Sequence, residues 1–204
     1  MFLAFEGIEG SGKSTLLASV ASALSQRGLD PLTTREPGGT PLGDAVRGIF
    51  LSRSSTIGPM AEALLINAAR AQHVADAIVP RLLDGGIVLC DRYVDSTLAY
   101  QGYGRGLALD VLRAVCDAAT GGLAPDCTFV LDIPVDVSRE RTIQRAGTID
   151  RVEAEDDAFH QRVRQGFLAL AAQPGRVLLD GRLAPAQLLE QTLTAIRERF
   201  GDAS

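Results

Sequence analysis

A glycine-rich octapeptide near the start of the chain constrains the fold more than any other feature of the sequence. The segment GIEGSGKS, residues 7–14, fits the pattern G-x-x-x-x-G-K-[ST] of loops that surround phosphate groups with backbone N–H groups. Residues 2–6 predict a strand directly before it, and residues 14–26 predict a helix directly after it. Because the pattern requires this strand–loop–helix context, the sequence predicts a site for the phosphates of a nucleoside triphosphate.

The loop also contains the one lysine of the chain. Lysine and arginine together number 20, and every one except Lys13 is arginine. A compact ammonium on a flexible stem can follow the β- and γ-phosphates, whereas a planar guanidinium cannot replace it in so narrow a loop. A plain glycine turn would not account for a lone lysine here. We therefore expect Lys13 to bind the phosphates and the Ser14 hydroxyl to coordinate Mg²⁺.

The rest of the chain alternates between apolar runs and helical patterns. Further strands are predicted at 30–36, 86–92, 127–133 and 176–180, and helices at 41–52, 60–83, 108–119, 135–144, 153–172 and 185–199. This alternation is typical of an α/β fold in which helices cover both faces of a parallel sheet. We expect one domain, residues 1–204, with a short mobile lid at about residues 141–153 around Gly147.

Charge and composition argue against several classes of partner. A net charge of −5 makes a broad nucleic-acid surface improbable, and no apolar run approaches the roughly 20 residues that span a membrane. The N-terminus lacks the basic segment of a signal peptide, so we expect a cytoplasmic protein. Cys90, Cys116 and Cys127 lack metal-binding spacing and are expected to be buried free thiols.

Four arginine-bearing segments are candidates for the second substrate. TREPGGT, residues 34–40, is a stiff loop that presents Arg35, and Asp91 with Arg92 ends a predicted strand. Asp91 and Arg92 could form a structural ion pair, or Arg92 could hold an acceptor phosphate with Asp91 near the metal. By its pattern alone, Arg70 is more typical of a solvated charge. Three arginines flank the glycine of the predicted lid.

At these residues the chain resembles the bacterial thymidylate kinases over nearly its full length. The segments that carry the resemblance are FEGIEGSGKST, TREPGGTPLG, AARAQH, DRYVDSTLAYQGYGRGL, TFVLDIPVDV and DRVE. The resemblance implies the P-loop fold of the nucleoside monophosphate kinases, with a five-stranded parallel sheet, and commonly a homodimer. It implies transfer of the γ-phosphoryl group of ATP to dTMP, with Mg²⁺, on the route to dTTP.

The resemblance also implies a role for each matching residue. Glu9 would reach the 3′-hydroxyl and the metal-bound water of the acceptor, Arg35 and Arg92 would hold its phosphate, and Arg70 would bond to the thymine. Thr97 and Gln101 would line the base pocket, and Tyr100 would pack under the deoxyribose. Asp91, Ser14 and Glu9 are the metal candidates. The residues expected at the ATP phosphates are Gly7, Gly10, Ser11, Gly12, Lys13, Ser14 and Thr15.

Two departures from the family pattern concern the base and the lid. Ile66 occupies the position where an aromatic side chain usually stacks on the thymine. Gly10 occupies a loop position that carries a catalytic arginine in one style of the family, which implies that a lid arginine acts instead. Arg145 and Arg141 are the candidates, and Arg145 is preferred because it lies nearer Gly147; Ala146 replaces the arginine often found before that glycine.

Two other functions are compatible with the phosphate-binding loop. The acceptor could be another nucleotide or nucleoside, which a comparison of dTMP, dUMP, UMP, CMP and AMP would resolve. The chain could instead be a nucleotide-driven switch or ATPase, which would hydrolyse ATP without any acceptor. Arg35, Arg70 and Arg92 favour the kinase, because a switch would not need cations on an acceptor side.

Overall fold

A computed structural model describes residues 1–145 and 149–201. Ala146 and Gly147, the residues at which the lid departs from the family pattern and is expected to bend, lie outside these described residues.

The described residues form a five-stranded sheet in which every adjacent pair of strands is parallel, in the order β2-β3-β1-β4-β5. The central strand β1 is buried along its whole length and is apolar at every position except Glu6, as expected for a strand covered on both faces. The predicted strands are confirmed within one or two residues at each end. Their bounds are β1 Phe2–Glu6, β2 Pro31–Arg35, β3 Ile87–Asp91, β4 Cys127–Asp132 and β5 Arg176–Asp180.

Helices connect the strands and cover both faces of the sheet, also as predicted. On one face Leu3 and Phe5 pack against the helices that contain Leu16 and Leu188, and on the other Phe2 and Ala4 pack against the helical segment that contains Val74. The bounds are α1 Lys13–Ser25, α2 Pro41–Leu51, α3 Pro59–His73, α4 Val79–Leu83, α5 Val94–Thr97, α6 Leu109–Thr120, α7 Val135–Gln144, α8 Asp157–Ala171 and α9 Pro185–Phe200. No helix of the described chain is long and apolar enough to cross a membrane.

The helix predicted at 60–83 is present but is not regular. A π-helical segment, Val74–Ile78, joins α3 to α4. Pro80 explains it, because proline has no N–H to donate and its ring clashes with the carbonyl four residues earlier in a regular α-helix. The wider π-helical segment lets the chain continue in the same direction past Pro80.

The helical patterns do not predict the helix between β3 and α6. There α5 continues into a second π-helical segment, Leu98–Gly104. Gly104 lies against α8, where an added Cβ would come 2.7 Å from Phe159 Cε2 and 2.8 Å from Val163 Cγ2. This glycine, which weakens the helical pattern in the sequence, allows the close approach of the two helices.

The helix predicted at 153–172 begins later than its pattern suggests. Asp156 is its N-cap and accepts a hydrogen bond from the Phe159 N–H at 2.7 Å, so α8 starts at residue 157. Residues 151–154 form turns, and Asp150 accepts from the backbone N–H groups of Val152 and Glu153 at 2.9 Å each. All three cysteines are free and buried, as expected.

Candidate active site

The glycine-rich loop leaves the end of β1 and leads into α1, as predicted. Gly7 has a φ of +139°, and an added Cβ would lie 2.4 Å from the Leu131 carbonyl oxygen. Gly10 has a φ of +69°, and its Cβ would lie 3.0 Å from the Ser138 carbonyl oxygen and 3.2 Å from Arg141 Cβ. The loop is therefore enclosed by β4 and α7, and α7 occupies the space into which a side chain at position 10 would point.

Lys13 is buried inside this loop. Its Nζ donates to the Ile8 carbonyl oxygen at 3.0 Å, so the ammonium lies within the curve of the loop. Burial lowers the pKa of Lys13 to about 8, and the nearby charge of Arg92 acts in the same direction. A bound phosphate would favour the charged form again. The arrangement suits an ammonium whose counter-ion is an anionic ligand.

Ser14 connects the start of α1 to the end of β3. Its Oγ donates to Asp91 Oδ2 at 2.5 Å, and both residues line the same cavity. A hydroxyl and a carboxylate are hard oxygen donors of the kind that Mg²⁺ prefers. The donor set, with Glu9 on the same cavity wall, fits the metal site expected from the sequence.

Arg92 lies at the centre of the site with an unusual backbone conformation. Its φ is +73°, a conformation that costs a non-glycine residue about 1–3 kcal/mol and persists where the surroundings enforce it. Its guanidinium donates to Glu9 Oε1 at 2.9 Å, the Tyr100 hydroxyl at 3.2 Å, the Gly7 carbonyl at 3.0 Å and Ser96 Oγ at 3.1 Å. The alternative of an Asp91–Arg92 ion pair is wrong, because Arg92 pairs with Glu9.

Glu9 is held between two donors. The Tyr100 hydroxyl donates to Glu9 Oε1 at 2.6 Å, beside the contact from Arg92. Burial opposes ionisation of Glu9, but the charges of Arg92 and Lys13 outweigh it and hold the pKa of this carboxyl below its ordinary value. Glu9 is therefore an anion beside the phosphate-binding loop. Burial raises the pKa of Tyr100 well above its usual range, so its hydroxyl remains a donor.

Glu6, the last residue of β1, binds the chain segment that follows Arg92. The sequence does not predict this role, because Glu6 there marks only the end of a strand. It is fully buried and accepts from the Tyr93 N–H at 2.7 Å, the Ser96 N–H at 3.1 Å and Ser96 Oγ at 2.6 Å. Burial raises the pKa of Glu6 to about 7, and Asp95 acts in the same direction. Glu6 thereby fixes the segment that follows Arg92.

Three guanidinium groups line one end of the cavity. Arg35 and Arg92 were expected there, whereas Arg47 on α2 was not, because an arginine on an amphipathic helix usually faces solvent. Burial lowers the pKa of Arg47, and the positive charges of Arg35 and Arg92 lower it further. Arg35 also lies 3.9 Å from Asp44, but both side chains are 59% exposed, so this pair contributes little. The three cations form a site for an anion.

Arg70 is buried, contrary to the solvated charge that its pattern alone suggests. The side chain is 1% exposed, and its Nε donates to Glu36 Oε2 at 2.7 Å. Nη1 donates to Asn67 Oδ1 at 2.8 Å and Thr97 Oγ1 at 3.0 Å, and Nη2 donates to the Tyr93 carbonyl at 2.9 Å. A guanidinium has five N–H donors, so among the described residues one N–H on Nη2 remains for a ligand.

A buried carboxylate–histidine pair supports Arg70. Glu36 Oε1 lies 3.0 Å from His73 Nδ1, and His73 Nε2 lies 2.7 Å from Thr34 Oγ1. Ligand atoms of Glu36, His73 and Cys90 lie within 4.8 Å of one another, a spacing that could hold a metal ion. However, Arg70 donates a hydrogen bond to Glu36, and both imidazole nitrogens of His73 have hydrogen-bond partners in the protein. Cys90 Sγ donates to the Arg92 carbonyl. The group is a hydrogen-bonded part of the core.

Beside Arg70, the cavity has an apolar wall. Ile66 is 8% exposed and belongs to a cluster that includes Phe50, Tyr100 and Val152. Gln101 also lines this part of the cavity, and its buried Oε1 has no hydrogen-bond partner among the described residues. An apolar wall with an unpaired acceptor and an unused N–H suits a flat ligand with polar edges.

Glu62 anchors the C-terminal end of the predicted lid and was also missed. It is 1% exposed and accepts from Arg151 Nη1 at 2.5 Å, Arg105 Nη2 at 3.1 Å and Gln101 Nε2 at 3.2 Å. Arg151 Nε also donates to the Phe50 carbonyl at 2.9 Å. Arg105 Nε also donates to Glu62 at 3.2 Å, so three side chains compensate the buried carboxylate. The bonds of Arg151 to Glu62 and Phe50 tie residue 151 to α3 and α2.

The two arginines of the predicted lid occupy different positions. Arg141 Nη1 donates to the Gly10 carbonyl at 3.2 Å and the Gly181 carbonyl at 3.0 Å, directly over the loop. Arg145 is 59% exposed and pairs with Glu153. Both line the same cavity.

One continuous cavity of about 780 Å³ joins the phosphate-binding loop to the arginines and the apolar wall described above. The phosphate-binding loop and Arg141 form one end, and Arg35, Arg70 and Ile66 form the other. Of the residues expected at the phosphates, Gly7 does not line the cavity; its carbonyl instead accepts from Arg92. The other expected residues come together around it: Glu9, Gly10, Ser11, Gly12, Lys13, Ser14, Thr15, Arg35, Ile66, Arg70, Asp91, Arg92, Thr97, Tyr100, Gln101, Arg141 and Arg145.

Comparisons with known proteins agree on a family. A family model described as thymidylate kinase matches residues 5–190. The chain is 46% identical over 208 residues to the thymidylate kinase of Trichlorobacter lovleyi, covering 98% of each chain. It is 52% identical over 184 residues to that of Thermosynechococcus vestitus, covering 85% of this chain and 76% of the relative.

A solved structure agrees with the same assignment. The crystal structure of thymidylate kinase from Ehrlichia chaffeensis has a TM-score of 0.77 at 31% identity, and the alignment covers 96% of this chain and 98% of that chain. The five-stranded parallel sheet with its phosphate-binding loop is therefore the P-loop fold predicted from the sequence. The chain belongs to the thymidylate kinase family.

Proposed function

We propose that the protein is an ATP-dependent thymidylate kinase that transfers the γ-phosphoryl group of ATP to dTMP, giving dTDP and ADP on the route to dTTP. The observation that carries this proposal is the continuous cavity between Lys13 and Arg70. One end offers a phosphate-binding loop, and the other offers three arginines beside an apolar pocket with unused polar atoms. A site of this form accommodates two anionic substrates end to end.

At the donor end, Lys13 and the backbone N–H groups of the loop bind the β- and γ-phosphates of ATP. The start of α1 adds partial positive charge on the same side. Ser14 and Asp91 would hold Mg²⁺, with Glu9 near it, and the metal would neutralise charge on the phosphates. Lys13 is enclosed by the loop, so its ammonium is fixed before the substrate arrives.

At the acceptor end, Arg35, Arg47 and Arg92 hold the monophosphate of dTMP. The free N–H of Arg70 and the unpaired Oε1 of Gln101 bond to the edge of thymine, near Thr97. Ile66 packs against its face. A base that left those two polar atoms unpaired would bind less well, which is how the site distinguishes acceptors.

Phosphoryl transfer between the two substrates requires that they be correctly positioned and that their charge be neutralised, more than it requires a strong base. An acceptor monophosphate is ionised at neutral pH, so its oxygen attacks the γ-phosphorus without prior proton removal. Holding the two substrates in line removes much of the entropic cost of their encounter. Cations around the transferring group stabilise the charge that develops there.

We further propose that a lid arginine acts in the transition state, because Gly10 leaves the loop without one. Arg145 is preferred: it is exposed, and its Glu153 partner lies within the same lid. Arg141 already bonds to Gly10 and Gly181, which suits it to holding the loop. R145A should lower turnover and leave dTMP affinity nearly intact. Full turnover in both R145A and R141A would contradict a lid arginine.

The function is tested by measuring ADP release with ATP in the presence and absence of dTMP. A kinase releases ADP only with the acceptor, and dTMP should exceed dUMP, UMP, CMP and AMP in kcat/KM. Equal ADP release without any acceptor would indicate an ATPase or switch. A preference for another nucleotide would leave the kinase chemistry in place and change the acceptor.

A homodimer is proposed from the surface of three adjacent helices. α2 packs beside α3, and α3 beside α6. Their outer faces carry half of the exposed large apolar residues of the described chain: Leu42, Ile49, Met60, Leu64 and Val111. Light scattering should show a dimer that L64E dissociates. L83E, at an 82% exposed leucine on α4, is the matched control and should leave the dimer intact. A monomeric wild type would refute the proposal.

We also propose that the protein acts in the cytoplasm on ATP and dTMP, with neither nucleic acid nor a membrane as a partner. Three free thiols are typical of a reducing compartment, and a net charge of −5 opposes binding to polyanions. Fractionation of cells and a nucleic-acid binding assay would test these two statements.

A further inference from the structure

Two buried polar atoms beside the cavity face each other without hydrogen-bond partners among the described residues. Glu9 Oε2 and His160 Nδ1 are 3.9 Å apart. Both atoms are buried, and neither has a hydrogen bond to any described residue. The His160 side chain is 6% exposed, lies in the first turns of α8, and does not line the cavity. The phosphate-binding loop contributes one atom of this pair and a distant helix the other.

The other carboxylate oxygen of Glu9, Oε1, already accepts two hydrogen bonds. Oε1 accepts from Arg92 at 2.9 Å and from the Tyr100 hydroxyl at 2.6 Å. Within the protein, the unused hydrogen-bonding capacity of this carboxylate therefore lies at Oε2, on the side of His160. A donor at His160 would fix the carboxylate from its buried side.

The neighbours of His160 hold its ring in place. The rings of Phe159 and His160 meet edge to face at 5.4 Å, and Phe159 also packs beside the Tyr100 ring at 6.3 Å. Asp156 caps the helix that carries both residues. The imidazole is thus fixed by the aromatic cluster that also positions Tyr100, so its approach to Glu9 follows from the packing of α8.

The hydrogen bonds of Glu9 decide which role His160 can take. The Glu9 carboxylate accepts from Arg92 and from the Tyr100 hydroxyl, as a carboxylate paired with a guanidinium does. A hydrogen bond between the two facing atoms therefore requires Nδ1 to be the donor, since two acceptors facing each other in a buried place would repel. At 3.9 Å the pair is too long for a direct bond, so contact needs a shift of about 1 Å or one shared water molecule.

We propose that His160 is a positioning residue for the phosphoryl acceptor: its Nδ1–H bonds to Oε2 on the buried side of Glu9, directly or through one water molecule, and so holds this carboxylate in place for the sugar hydroxyl of the acceptor. The proposal rests on the kinase function above and adds to it. Glu9 touches the substrate, whereas His160 acts through Glu9. His160 accordingly contributes to acceptor use and to discrimination at the sugar, with no part in ATP binding.

Two substitutions separate the hydrogen bond from the packing. H160N keeps an N–H donor near the place of Nδ1, while H160L removes the donor and keeps an apolar side chain. H160L should lower kcat/KM for dTMP by about tenfold, the scale of one lost hydrogen bond to a charged group, and H160N should recover most of it. KM for ATP should be unchanged in both. Thermal unfolding of each variant shows whether the fold is retained.

A double-mutant cycle tests whether His160 acts through Glu9. In an E9Q background the additional loss from H160L should disappear, because the carboxylate it orients is gone. With a dTMP analogue that lacks the 3′-hydroxyl, H160L should cost much less than the tenfold seen with dTMP. Equal losses in the Glu9 and E9Q backgrounds, or no loss at all, would overturn the proposal. So would a loss that H160N does not recover.

The same experiment distinguishes this inference from the proposed function. A wild-type protein without dTMP-dependent ADP release would refute the kinase function itself. A wild-type protein with that activity, whose H160L variant keeps the full kcat/KM, would refute only the role of His160. Measuring dTMP affinity by calorimetry on the same proteins adds a readout that does not depend on turnover.

Discussion

Replacing Arg70 by methionine should destabilise the fold before it alters base recognition. The guanidinium is 1% exposed and pairs with Glu36, which is 3% exposed, at 2.7 Å. R70M removes the charge and leaves the carboxylate buried, with His73 as its remaining neighbour. Breaking a buried pair in this way costs about 3–5 kcal/mol. For a chain of 204 residues, this corresponds to a fall in Tm of about 6–20 °C.

Two further variants make the test specific to the buried charge. R70M combined with E36Q removes both charges and should recover a large part of the loss, because the uncompensated carboxylate is gone. R164M is the matched control: Arg164 pairs with Asp132 through two bonds of 2.7 and 2.8 Å, but these side chains are 24% and 23% exposed. Its cost should be at most about 1 kcal/mol.

The assay is thermal and urea unfolding of the four proteins, followed by circular dichroism. Equal shifts for R70M and R164M would refute the reasoning, since burial would then make no difference. A double variant less stable than R70M would also refute it. Because the effect acts on folding, dTMP binding by R70M must be measured on the folded fraction.

Four more variants test three other parts of the site. K13A should lose at least about 100-fold in turnover and K13R should also fail, which steady-state kinetics will check; near-normal activity in K13A would refute the phosphate role. I66F should bind dTMP several-fold more tightly if base stacking outweighs overpacking; weaker binding with a lower Tm would mean that the pocket is full, and no change in either would mean that Ile66 is not at the base. The pKa of Glu6 rises from 4.5 to about 7, so the native state binds this proton more tightly than the unfolded state. The free energy of unfolding should therefore fall by roughly 3 kcal/mol as pH rises through that interval, and E6Q should remove this slope in urea titrations at several pH values.

Local patterns in the sequence were sufficient for the sheet and the phosphate-binding loop. Strand β1 is apolar at almost every position, and a strand buried on both faces needs little else to be recognised. The loop follows from Gly7, Gly10 and Lys13, because its backbone conformation and its charge depend on neighbouring residues in the chain. The resemblance to a family then placed Arg35, Arg70 and Arg92 on the acceptor side.

The tertiary structure alone decided which of the remaining polar residues are buried and what they contact. Arg70 and Arg47 resemble surface charges on their own helices, and the full burial of Arg70 and the partial burial of Arg47 depend on β2, β3 and the segments that follow them. The sequence does not predict the helical segment that ends at Gly104, because a glycine weakens the helical pattern. The same glycine is required for close packing of this segment against α8. His160 meets Glu9 across 151 positions of the chain, and no spacing rule relates them. These contacts depend on how distant elements pack, and packing depends on the whole chain at once, whereas a sequence pattern reports only the residues near it.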